Sequence, residues 1–104
     1  MLWQEFQLKK GKRTQLWKIA IADNQEEYVT RHGMLDGKLQ EFSDRPGDKG
    51  KPGTEAYVDA KANTLFHVSR EIRKKEEHGY IRVIDGKMVR EQVTAIDWNQ
   101  SLPK

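Results

Sequence analysis

The side chains best suited to chemistry in this chain are cations. Lys9, Lys10, Lys12 and Arg13 crowd one short stretch, interrupted by Gly11 alone. Ammonium and guanidinium groups held this close can neutralise phosphates and release their counterions, the electrostatic basis of nucleic-acid binding. Lys18 follows shortly after, and Arg31 and His32 stand side by side before Gly33, a guanidinium next to an imidazole able to stack on a base. Lys38, Lys49 and Lys51 extend the set. Each of these has a plainer account. The basic run can be a solvated turn, Arg31 can pair with Glu27 or Glu41, and His32 can simply cap the packing of a sheet. Trp17 suits a core better than a base-stacking platform. Arg70, Arg73, Lys74 and Lys75 lie among Glu71, Glu76 and Glu77 with (i, i+4) partners Glu71–Lys75 and Arg73–Glu77, the pattern of a solvated helix face.

No catalytic constellation assembles from the sequence. Ser43, Ser69 and Ser101 lack the flanking glycines of a nucleophile elbow. Pro46-Gly47-Asp48-Lys49-Gly50-Lys51 imitates the composition of a phosphate loop without its spacing. Glu26-Glu27 and Glu76-Glu77 are adjacent pairs, better suited to solvent than to acid/base work. The chain has no Cys, which rules out disulfides, thiolate zinc sites and a cysteine nucleophile, and its 3 His do not fall in a zinc-binding spacing. The expectation is therefore no catalytic residue, no metal and no cofactor.

At 104 residues the chain makes one domain, and 36% hydrophobic against 34% charged residues is polar for a folded one. Three Trp, three Tyr and three Phe supply the bulk to anchor a small core. No run approaches the roughly 18 apolar residues of a membrane span, and Met1-Leu2-Trp3-Gln4-Glu5 lacks the order of a secretion signal, so an intracellular protein is expected. The net charge of +3 is unevenly spread. Residues 1–22 carry five Lys/Arg against the single Glu5, whereas residues 23–50 carry four against seven acidic residues, a local +4 followed by a local −3. This polarity matters if the partner is a polyanion.

Period-two alternation predicts strands over Leu2–Leu8, Thr14–Ala22, Glu27–Met34 and Lys38–Ser43, joined at Lys10-Gly11-Lys12, Asp23-Asn24 and Asp36-Gly37. Asp-Gly is a strong hairpin signal because both central residues of the favoured turn need positive φ. Residues 44–53, rich in Pro, Gly and charge, read as a mobile surface loop without a core. Thr54 then reads as an N-cap with Glu55 behind it, opening a helix over 55–78 of roughly 36 Å, with Val58, Ala62, Leu65, Phe66, Val68 and Ile72 as its apolar stripe. Gly79 stops it, and Tyr80–Ile84, Asp85-Gly86 and Lys87–Val93 suggest a final hairpin. The expected fold is α+β, an antiparallel meander packed against one long helix, over residues 1–95, with 96–104 a polar tail or linker.

Thr30-Arg31-His32-Gly33-Met34, preceded by Trp17-Lys18-Ile19 and followed by Arg73-Lys74-Lys75 and Gly79-Tyr80, resembles the WGR domain. The resemblance spans roughly residues 2–84. It is nearest the WGR-like module at the N-terminus of ATP-dependent DNA ligases of phages and large viruses, through Asp36-Gly37-Lys38, the loop Pro46–Lys51, Ala60-Lys61-Ala62 and Gly79-Tyr80. In poly(ADP-ribose) polymerases the Trp and Arg of the naming triplet meet the terminal base and backbone at a DNA break. Here those positions are His32 and Met34, and only Gly33 survives. The resemblance keeps a stacking role open for His32, removes phosphate pairing at Met34, and makes Arg31 the matched cation.

The resemblance implies a non-catalytic module. Nucleotidyl transfer needs Lys-x-Asp-Gly, and Val83 and Met34 stand where the Lys would precede Ile84-Asp85-Gly86 and Leu35-Asp36-Gly37. The expected function is binding of nicked or broken double-stranded DNA through backbone contacts, as the N-terminal module of a ligase in repair or replication, cytoplasmic in a phage or bacterial setting. Lys9, Lys10, Lys12, Arg13, Lys18, Arg31, His32, Lys38, Lys49 and Lys51 are the expected contacts, in a monomer without a membrane partner. The alternative is a protein-interaction module that docks on a neighbouring catalytic domain.

Overall fold

A computed structural model describes residues 1–89. The chain forms strands β1 (Trp3–Lys10), β2 (Arg13–Ile21), β3 (Tyr28–Met34) and β4 (Gln40–Asp44), then helix α1 (Ala60–Glu77), then β5 (Ile81–Ile84) and β6 (Lys87–Val89). The strands form one antiparallel sheet in the order β4-β3-β2-β1-β5-β6. The fold is α+β, a sheet packed against a single helix. The continuation of the last strand to Val93 and the tail at 96–104 lie outside the described residues.

Register explains the core. Phe6, Trp17 and His32 stand opposite one another on β1, β2 and β3, so they share a face, and Ile19 lies two residues from Trp17 on that face. Helix α1 covers it, and Phe6, Trp17, Ile19, Tyr28, Val68 and Ile72 form one buried cluster. The Phe6 and Trp17 rings meet at 5.3 Å in a tilted arrangement. On the opposite face Leu16, Ala20 and Val29 are also buried.

Turn chemistry accounts for two of the hairpins. Gly11 has φ +60 at the first position of the Gly11-Lys12 loop, which a two-residue turn with glycine leading requires. Asp85 and Gly86 both have positive φ, the conformation expected of Asp-Gly. Asp36-Gly37 differs. Neither residue has positive φ, and the Gly37 N–H donates to Met34 O at 2.9 Å, one turn inside a five-residue loop over 35–39.

The helix starts later than expected. Thr54 does not cap it; its hydroxyl donates to Lys51 O at 2.7 Å within a turn of the preceding loop. Val58 is held extended by paired backbone hydrogen bonds with Lys49, both 2.8 Å, which excludes it from a helix. Asp59 is the cap, its Oδ1 accepting from the Ala62 N–H at 2.8 Å. The 18 residues of α1 are about 27 Å long, shorter than the expected 36 Å. The stripe is corrected too, since Phe66 is 60% exposed and Ala62 is exposed, while Asn63, Thr64 and Ser69 are buried. The Asn63 amide donates to Gly47 O, tying the Pro/Gly-rich loop to the start of α1. At the other end Gly79 has φ +97, and a Cβ there would stand 3.3 Å from Leu8, so the glycine both stops the helix and lets it close on β1. No helix of the described residues is long and apolar enough to cross a membrane.

Candidate nucleic-acid interface

The antiparallel order brings two turns to one end of the sheet. Gln15 pairs with Met34, and the Leu35 N–H donates to Thr14 O at 2.9 Å, so the loop after β3 is bonded directly to the start of β2. That contact sets Lys38 on the same end as Lys9, Lys10, Lys12 and Arg13. Among residues 9–13 and 35–39 the only acid is Asp36, a local +4. None of these five cations makes an ion pair among the described residues. The C-terminus of α1 reaches the same end, where the Tyr80 hydroxyl donates to Gln15 Oε1 at 3.2 Å. Arg73 and Lys74 of its last turns are exposed there and favour the negative end of the helix dipole.

The remaining expected contacts lie elsewhere. Lys18 and Arg31 are cross-strand partners on the face opposite α1. Lys18 Nζ lies 3.7 Å from Glu5, and Arg31 Nε donates to Glu41 at 2.7 Å. The Arg31 guanidinium also sits 4.7 Å from the Trp3 ring centroid. These two cations are therefore engaged on the sheet surface, and Trp3 joins them as a residue the sequence reading passed over. The acidic neighbour of Arg31 is Glu41; Glu27 faces Arg45 at 3.8 Å instead.

His32 projects to the opposite face from Arg31, as strand alternation demands, and stacks on Phe42 with 5.4 Å between centroids and 4° between planes. The structure does not bring the guanidinium and the imidazole together. Lys49 and Lys51 fall in the loop before α1, at the end of the helix away from Tyr80. Of the ten expected contacts, five converge and five disperse to other surfaces.

Chemically, the converging group offers an array of positive point charges. Among the described residues no three His, Asp or Glu side chains gather in a way that could hold a metal ion. Helix residue Lys75 is not paired with Glu71; its ammonium lies over the rings of Trp17 and Tyr80 at 5.6 and 5.5 Å. Compared with protein-family models, curated proteins and solved structures, the chain matches none.

Proposed function

We propose that this chain is a non-catalytic WGR-like module that grips double-stranded DNA at a nick or break, and that it serves as the N-terminal module of an ATP-dependent DNA ligase. One observation carries the reading. Lys9, Lys10, Lys12, Arg13 and Lys38 crowd two bonded turns without an ion pair among the described residues, whereas Lys18, Arg31 and Arg45 are matched by carboxylates. Unmatched cations keep their full affinity for phosphate. Leu35, 44% exposed, stands among them as an apolar group suited to the uncovered base pair at a break. Backbone contacts dominate such a surface, so sequence preference is slight. A DNA partner places the working protein inside a cell.

The test is fluorescence anisotropy with nicked and intact duplex over a range of salt, followed by NMR titration. Affinity is expected to fall steeply with salt, with shifts at Lys9–Arg13 and Lys38 and tighter binding to the nicked duplex. Absence of association with nicked duplex in dilute buffer overturns the reading. Incubation with ATP is expected to leave the chain without a covalent nucleotide, since Val83 and Met34 hold the positions of the nucleophilic lysine.

A further inference from the structure

The DNA reading leaves strand β4 unused. Among the described residues it has a neighbour on one side only, and all five of its residues are exposed. Natural proteins blunt such edges with lysine, proline or a bulge, because the outward N–H and C=O groups template another strand. Gln40-Glu41-Phe42-Ser43-Asp44 contains neither lysine nor proline, and its five residues pair with β3 in unbroken register.

A groove of about 310 Å³ runs beside this edge, between β3–β4 and α1, with Tyr28, Phe42, Asp44, Glu71 and Lys75 among its walls. Phe42 lies on the helix-covered face, stacked against His32 on one side, yet is 58% exposed and forms an apolar wall. The charge in the groove is unbalanced. Lys75 is drawn off to the Trp17 and Tyr80 rings, and neither Asp44 nor Glu71 makes an ion pair among the described residues. Among the described residues the Asp44 carboxylate accepts the Tyr28 hydroxyl alone, at 3.3 Å. Burial, then the fields of Asp44 and Glu71, push the Tyr28 hydroxyl up to about 12, with the Arg70 guanidinium acting against them.

We infer that β4 is a docking edge for an extended segment of a partner protein that carries a basic side chain, pairing along Gln40–Asp44 as an added strand and seating one Lys or Arg between Asp44 and Glu71. Main-chain bonds supply affinity in this mode, and a pocket for alternate side chains supplies specificity. The methylenes of the guest side chain lie along Phe42 while its charge meets the carboxylates. A nucleic acid is the wrong occupant, because its phosphates would face Asp44 and Glu71. A second copy is also the wrong one, because its own Gln40–Asp44 holds no Lys or Arg to fill the groove.

The probe is a short fluorescent peptide of alternating threonine and valine with one central arginine, titrated against the full chain. A version with glutamate at the centre and a version with N-methylated backbone serve as comparisons. The arginine peptide is expected to bind and to shift the NMR signals of Gln40–Asp44 and Glu71. The glutamate and N-methylated peptides are expected to bind at least about tenfold more weakly, and Glu71→Gln to weaken the arginine peptide about tenfold with an unchanged thermal midpoint. Equal affinity for the arginine and glutamate peptides, absence of binding, or self-association through β4 in sedimentation without peptide each overturns the inference. Because no duplex enters this experiment, its failure leaves the DNA reading intact.

Discussion

The hairpin end and the β4 edge are both exposed margins of one sheet, and they carry opposite charge. At the hairpin end Lys9, Lys10, Lys12, Arg13 and Lys38 face solvent with Asp36 as their only acidic company in the two turns. At the β4 edge Asp44 and Glu71 flank a groove whose one cation, Lys75, is held over aromatic rings. On the face between them, Lys18–Glu5 and Arg31–Glu41 cancel across adjacent strands. The difference teaches that total charge says little here. What matters is whether a carboxylate stands directly across the ladder from each cation. Lys18 and Arg31 have one, whereas Lys9 and Lys10 face Thr14 and Arg13 across the ladder and Lys12 and Lys38 lie in the turns.

Removing the platform common to both margins has the largest effect. Phe6 is fully buried against Trp17, and Phe6→Ala is expected to cost about 3–5 kcal/mol, read from the denaturant midpoint. Duplex binding and peptide binding should then fail together as the chain unfolds. Loss of only one would mean that the two margins do not depend on the same core.

The next experiment separates the margins. Replacing Lys10, Lys12 and Arg13 together by Gln removes three cations with no ion pair among the described residues, and each lost phosphate contact flattens the log–log salt dependence by about 0.9. The expected change in slope on nicked duplex is therefore about 2.7, with affinity for the arginine peptide unchanged. A Lys18→Gln variant should change the slope far less, since its charge is already shared with Glu5.

Much of this layout was legible in the residues. Alternation located the first four strands, and the Asp85-Gly86 signal located the last hairpin as far as the described residues reach. The same alternation separates Arg31 from His32, which their adjacency in sequence conceals. Asp85-Gly86 turned as its dipeptide predicts. The misplaced helix start has a long-range cause: Val58 is claimed by Lys49 across the loop, and nothing local in Thr54-Glu55 reveals that Asp59 has the free backbone donors to cap. The run at Lys9–Arg13 was visible because its members are neighbours in sequence. Its union with Lys38 was not, since it depends on the register between Gln15 and Met34.

Gly33 is where that register is most exposed to a small change. A Cβ there would stand 2.9 Å from Lys38 O and 3.1 Å from Leu39 Cδ2, and the carbonyl is backbone that cannot swing aside. Gly33→Ala is expected to cost about 1–3 kcal/mol in thermal or denaturant stability and to displace the loop that carries Lys38. The salt slope should then flatten by less than in the triple variant. An unchanged midpoint would mean that the loop yields freely, and that the seam between the two turns is softer than its hydrogen bond suggests.

The smallest effect reads the acidic margin through a proton. Tyr28 titrates near 12 rather than 10, chiefly because it is buried and further because Asp44 and Glu71 disfavour a phenolate beside them. Its folded-state affinity for the proton exceeds the unfolded one, so the folded chain holds more protons between pH 10 and 12. Its share of stability is complete below pH 10 and is lost as pH rises toward 12. Asp44→Asn removes one field and converts the acceptor of the Tyr28 hydroxyl, so the phenolate absorbance is expected to appear at lower pH. Glu71→Gln should act in the same direction and more weakly, as the smaller of the two influences. Neutralising the hairpin cations should leave this titration where it was. If the Lys10, Lys12 and Arg13 replacements moved it as far as Asp44→Asn does, the two margins would share one field and their contrast would collapse.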